Sequence, residues 1–119
     1  MFLTQVPTTA GLEVSVIADL DPVRAKKTCT NVGWSDELIS RTEFVDDAMM
    51  MMTSGKIDVL VEATGDPKIG VFHAQAAIHN GIHIVMVNVE ADVLAGAQLS
   101  QEAAVAGVVY SLAYGDQPA

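Results

Sequence analysis

Three short stretches of this 119-residue chain set oxygen-bearing or amide side chains directly after an apolar run: Asp19-Leu20-Asp21-Pro22, Ala63-Thr64-Gly65-Asp66-Pro67 and Asn88-Val89-Glu90-Ala91-Asp92. Each implies its own chemistry. A carboxylate at Asp19, at the tip of a strand, can accept hydrogen bonds from the hydroxyls of a ribose; equally, it can do no more than start a turn. For Asp21, just before Pro22, capping a helix is the favoured job. Ala63, Thr64 and Gly65 are small enough to let a sugar or pyrophosphate approach the backbone, although Pro67 is also what an ordinary strand-to-helix turn would carry. Asn88 and Glu90 offer an amide and a carboxylate that can hold a carboxamide and face a substrate, while Asp92 has helix capping as its alternative.

Other reactive side chains point to less. His73 and His79, expected on one helix, lack the i,i+4 spacing of a helical ligand pair, and no cysteine stands near them or His83, so a metal site is not expected and helix-surface or helix-end roles are. The run Met49 to Met52 reads as a helix flank meeting core and interface, and Trp34 as a side chain packing a loop onto the domain. The single cysteine, Cys29, cannot form an intramolecular disulfide, which points to a reducing, cytoplasmic setting.

The elements that must aim these groups alternate regularly. Leu12 to Ala18 is a β-branched run stopped by Asp19-Leu20-Asp21-Pro22, and a helix follows over Val23 to Asn31 with Gly33 as its cap. A short extended piece at Thr42 to Val45 precedes Asp46-Asp47, whose carboxylates suit the start of a helix reaching Ser54. Strand Ile57 to Ala63, helix Lys68 to Asn80 with Gly81 after it, strand Ile82 to Asn88, helix Ala91 to Ala106 with Gly107 as cap, and strand Val108 to Leu112 complete the pattern. Such alternation predicts βαβ units in an α/β, Rossmann-like, doubly wound and mostly parallel sheet. In the strand order 3-2-1-4-5-6 of that fold, the run at Leu12 would be the second strand and the run at Ile57 the fourth.

A glycine-rich loop should precede that second strand, yet no two of the nine glycines stand two apart, so the chain holds no Gly-x-Gly. The fold is therefore expected to lack its first strand and glycine-rich loop, which would lie upstream of Met1, with Met1 to Val6 as the second half of the first helix. The whole of residues 1–119 is then one partial dinucleotide-binding domain. Loss of the first strand would leave two apolar strand edges, to be closed either by direct pairing of the runs at Leu12 and Ile57 or by association with a second copy as a homo-oligomer.

Composition limits the partners. With 6 Lys plus Arg against 15 Asp plus Glu, the formal charge of -9 repels nucleic acid and anionic lipid. No apolar run approaches the roughly 20 residues that cross a bilayer, and Met1 to Gly11 has no basic segment typical of a secretory signal.

On four stretches, Val-Ile-Ala-Asp-Leu-Asp-Pro (16–22), Val-Glu-Ala-Thr-Gly-Asp-Pro (61–67), Val-Met-Val-Asn-Val-Glu-Ala-Asp-Val (85–93) and Tyr-Ser-Leu-Ala-Tyr-Gly-Asp-Gln-Pro (110–118), the chain resembles the nucleotide-binding half of homoserine-dehydrogenase-like oxidoreductases that carry a SAF domain, a group that includes deoxyxylulose-phosphate reductoisomerase-like enzymes. The resemblance implies binding of NAD or NADP and oxidation or reduction of a small polar, in some cases phosphorylated, substrate held largely on a second domain. Catalysis would need that domain. The implied cofactor contacts are Asp19, Leu20, Arg24, Ala63, Thr64, Gly65, Asn88 and Glu90. A carboxylate at Asp19 disfavours a 2′-phosphate and so prefers NAD, while Arg24 keeps NADP open. Homoserine dehydrogenases proper carry Asn-Lys where this chain has Asn88-Val89, which argues against homoserine itself. Two other readings fit parts of the pattern: a non-catalytic nucleotide-sensing or structural fragment, favoured by the absent glycine loop, and a methyltransferase using S-adenosylmethionine, which also places an acid after its second strand.

Overall fold

The computed structural model describes residues 6–8, 11–55 and 57–112. The chain divides into two compact units, Met1–Met51 and Met52–Ala119. Most of the segment read as the tail of a first helix lies outside the described residues, as does the end of the 110–118 motif; Val6–Thr8 makes one 3-10 turn.

In the first unit, strand β1 (Val16–Ala18) runs into helix α1 (Pro22–Asn31), then α2 (Asp36–Ser40) and strand β2 (Glu43–Val45). Pro22 stands at the first helical turn, where its missing N–H costs nothing, and Asp21 caps the helix by accepting from the Arg24 N–H at 3.1 Å. The helix α2 was not expected. Its start is nonetheless written in the residues: Ser35 Oγ accepts from the Leu38 N–H at 3.1 Å, and Asp36 and Glu37 fill the first turn, where the helix dipole favours acids. Strand β1 is shorter than the expected Leu12 to Ala18 because its parallel partner β2 spans only three residues, Val16 pairing with Glu43 and Ala18 with Val45. Val6, Cys29, Trp34 and Ile39 form the core of this unit, with Ile17 and Phe44 packed against it. Burial pushes the Cys29 thiol above its ordinary range, so it packs as an apolar group.

Helix α3 (Ala48–Met52) ends at the unit boundary. It is shorter than the stretch expected from Asp46 to Ser54, and Asp47 caps it, accepting from the Met49 and Met50 N–H groups at 3.0 and 3.3 Å.

The second unit holds β3 (Val59–Glu62), α4 (Pro67–His79), β4 (His83–Met86), α5 (Val89–Ala106) and β5 (Tyr110–Leu112). All three strands are parallel in the order β3-β4-β5. Taken as strands two to six of the expected order, β1-β2 and β3-β4-β5 are the neighbours that order demands. Alternate residues Leu60, Ile84 and Met86 are buried. Helices α4 and α5 face each other through small residues, with Ala74, Ala77, Ala91 and Ala103 all at 1% exposure or less. Gly70 makes the closest approach: a Cβ built there would lie 2.6 Å from Asn88 Nδ2 and 2.8 Å from the Ala91 Cβ. Among the described residues no helix is long and apolar enough to cross a membrane.

Candidate functional site

A parallel strand ends by releasing its chain toward a helix, so the side chains just past β1, β3 and β4 are free to serve the turns, although the Asp19 and Val87 N–H groups still donate across to the Val45 and Glu62 carbonyls at 2.9 Å. The eight sequence-predicted contacts fall in these turns or the helical turn that follows, in two groups. In the first unit Asp19 follows β1, Leu20 is 96% exposed, and Arg24 stands in the first turns of α1. Asp19 Oδ1 accepts from the Asp21 N–H at 2.8 Å, while Oδ2 takes no hydrogen bond among the described residues. Turn formation therefore occupies one oxygen of the carboxylate and leaves the other, so the two readings of Asp19 are compatible.

The second group is Ala63, Thr64 and Gly65 after β3, and Asn88 and Glu90 after β4. Thr64 and Asn88 meet, Asn88 Nδ2 lying 3.5 Å from Thr64 Oγ1. Asn88 is 3% exposed and its amide is committed internally: Oδ1 accepts from the Ala91 N–H at 3.0 Å, capping α5, and Nδ2 donates to the Asp66 carbonyl at 2.8 Å. Asn88, and not Asp92, is the cap. Asp92 lies within the first turns of α5 and accepts from the Tyr110 hydroxyl at 2.8 Å.

At the hub of this group is a residue that the motif contained but that was not singled out as a contact, Glu62. It is the last residue of β3, 2% exposed, and both its oxygens are engaged. Oε1 accepts from the Thr64 N–H at 2.8 Å and the Thr64 hydroxyl at 2.6 Å; Oε2 is 2.6 Å from His73 Nδ1. His73 was expected at the helix surface; instead its ring turns inward to this carboxylate, its side chain 17% exposed. The signal was present in the sequence: Glu62 ends an otherwise apolar strand, and a carboxylate buried there must find donors. His83 has a separate task, its Nδ1 accepting from the Val109 N–H at 3.0 Å. Among the described residues no group of three or more His, Cys, Asp or Glu could hold a metal.

These hydrogen bonds decide what the turns can bind. The start of α4 has no N–H to spare for phosphate: Pro67 has none, Asp66 Oδ1 accepts from Lys68 and Ile69, and the Gly70 N–H goes to the Asp66 carbonyl. At the start of α5, Glu90 and Asp92 repel anions. Between these two helix starts Pro67, Val89, Glu90, Val93 and Leu94 line an open groove of about 320 Å³ whose wall is almost wholly apolar. The second unit thus suits the uncharged, ring-bearing part of a dinucleotide better than its pyrophosphate.

Residues 2–112 match the family model of the homoserine dehydrogenase NAD-binding domain. Among solved structures, yvaA of Bacillus subtilis, described as an oxidoreductase, superposes with a TM-score of 0.68 at 18% identity, covering 92% of this chain and 29% of its own. Homoserine dehydrogenase of S. aureus at pH 7.0 gives 0.59 at 18% identity, covering 82% of this chain and 23% of its own. The chain therefore spans less than a third of the length of these two structures, and at such identity they show a shared fold. No curated protein matches the chain. The methyltransferase reading finds no support in these matches. The chain belongs to the homoserine dehydrogenase NAD-binding domain family, the domain with which dehydrogenase-type oxidoreductases bind a nicotinamide dinucleotide.

Proposed function

We propose that residues 1–119 serve as the dinucleotide-binding domain of an NAD(P)-dependent oxidoreductase whose substrate is small and polar, phosphorylated or not, and is held largely by a further domain. The observation that carries this reading is the placement of the candidate contacts at the carboxyl ends of β1, β3 and β4, in a chain of this family. Asp19 accepts from the adenosine ribose, which favours NAD; Arg24, on the helix that follows, is the residue that would tolerate NADP. Ala63 and Gly65 let the nicotinamide-side ribose approach. Thr64 and Asn88 act from behind, by holding their turns in shape. Glu90 and the apolar groove beside it receive the nicotinamide end, with Val89 where a homoserine dehydrogenase has lysine. A reducing, cytoplasmic setting suits the lone buried Cys29.

With no Gly-x-Gly in the chain to hold the pyrophosphate, affinity is expected in the millimolar range. Amide NMR of the full chain titrated with NAD, NADP and S-adenosylmethionine tests the reading. NAD should shift the amides of Asp19 and Gly65, and NADP should do so at higher concentration. Shifts with S-adenosylmethionine alone, or none with either dinucleotide, would overturn it. The absence of Gly-x-Gly favours one second reading, a domain that senses nucleotide without catalysis; hydride transfer by the full-length protein would exclude it.

A further inference from the structure

A carboxylate that ends a buried strand, with both oxygens engaged and 2% exposure, is costly to maintain, and nothing in the packing of β3 requires it. An apolar side chain would cover the same place without desolvating a charge. What Glu62 does accomplish is local. Its oxygens accept from both donors of Thr64 and meet the Nδ1 of His73, which donates to the carboxylate in the tautomer that carries its proton on Nδ1. Thr64 Oγ1 in turn lies 3.4 Å from the Asp66 N–H and 3.5 Å from Asn88 Nδ2. From Thr64 to Gly70 every N–H is then occupied or absent except that of Gly65, which has no hydrogen-bond partner among the described residues and stands at a backbone φ of +80° that glycine adopts without strain; the Ala63 N–H, before the turn at the end of β3, has none either.

We infer that Glu62 and His73 are a positioning pair, which locks the Thr64–Gly65 turn so that the Gly65 N–H is its single outward donor, aimed at an uncharged acceptor oxygen of the cofactor such as a ribose hydroxyl or the carboxamide. This rests on the dinucleotide reading above and adds residues that touch no ligand. One donor flanked by the occupied N–H groups of Thr64 and Asp66 suits a single neutral oxygen; a phosphate, with several charged oxygens, is held by clustered donors. His73 closes the arrangement because it satisfies the second oxygen of a carboxylate that would otherwise be buried half-paired.

The test uses the full chain and substitutions at His73, the less buried partner, because Glu62→Ala can unfold the protein. His73→Ala removes the donor. His73→Asn restores an N–H close to the place of Nδ1. Amide NMR with NAD as the probe reads affinity and the Gly65 shift, while the Asp19 amide reports binding elsewhere on the cofactor. His73→Ala should weaken NAD about tenfold and abolish the Gly65 shift while sparing that of Asp19, and His73→Asn should return both to within about twofold of the parent. Imidazole nitrogen shifts should show Nδ1 protonated in the parent. A Gly65 shift and affinity unchanged in a folded His73→Ala variant, or loss that His73→Asn does not rescue, or an unprotonated Nδ1, would overturn the pair while leaving the dinucleotide reading intact. Absence of any NAD shift in the parent, at Asp19 as at Gly65, would overturn both.

Discussion

Tyr110 and Asp92 show how a single contact ties a strand to a helix and also makes a pH prediction. Burial first, then the Asp92 hydrogen bond and its negative charge, push the Tyr110 phenol well above the ordinary tyrosine range. A raised value means that the folded state holds the proton more tightly than the unfolded one. The contribution to stability is therefore complete below about pH 10, where both states are protonated, and is lost as pH climbs from there through the folded value. In a Tyr114→Phe background, absorbance of the phenolate should show Tyr110 titrating only in strong alkali, and Asp92→Asn should bring it back toward pH 10. Asp19 carries the second residue-scale prediction. Asp19→Asn can keep an acceptor for the Asp21 N–H, whereas Asp19→Ala removes the cofactor contact as well; by titration, Asp19→Ala should weaken NAD about tenfold and NADP clearly less, since NADP lacks the free 2′-hydroxyl. An equal loss for both cofactors would mean that Asp19 serves the turn alone.

At the scale of elements, α4 and α5 approach through alanines and Gly70. Glycine-to-alanine in a helix ordinarily stabilises by about 0.5–1 kcal/mol. At Gly70 the added methyl would meet Asn88 Nδ2 at 2.6 Å and the Ala91 Cβ at 2.8 Å, and Asn88 can move only by giving up the α5 cap and the Asp66 carbonyl. Overpacking of this kind costs about 1–3 kcal/mol, so Gly70→Ala should be net destabilising, by about 1–2 kcal/mol in denaturant midpoint experiments. A more stable variant would show that the helices can part at little cost. Element order and helix caps were mostly legible in the residues, because Asp21-Pro22, Asp66-Pro67 and Gly107 act locally. Strand lengths were less so, since a strand ends where its partner ends, and the brevity of β2 is not visible at Leu12. The short helix α2 was missed because five residues show too little of a helical period.

For the molecule as a whole, β1 has only β2 as a ladder partner and β3 only β4, so among the described residues each presents an edge of unpaired backbone groups. Val59 on β3 is 46% exposed. We predict that the chain self-associates through such edges, with light scattering showing apparent mass rising with concentration and the melting temperature rising with it. A charge of -9 opposes that association, so added salt should strengthen it by screening. A mass that stays monomeric at every concentration and salt level would count against edge pairing.

The residues alone determined the alternation of strands and helices, the parallel sheet that follows from it, and the turns that follow each strand, because hydrophobic period, proline and caps act over a few residues. They also carried the resemblance to the family that the matched residues 2–112 bear out. Tertiary structure decided which side chains in those turns remain available. Asn88 read as a ligand donor from its place after a strand; only the approach of α4 shows its amide committed to Asp66 and to the α5 cap. His73 read as a surface histidine from its place in a helix; only the packing of α4 against β3 brings its ring to Glu62. Hydrogen bonds between residues 11 to 24 positions apart follow from how elements pack, and no local pattern encodes them.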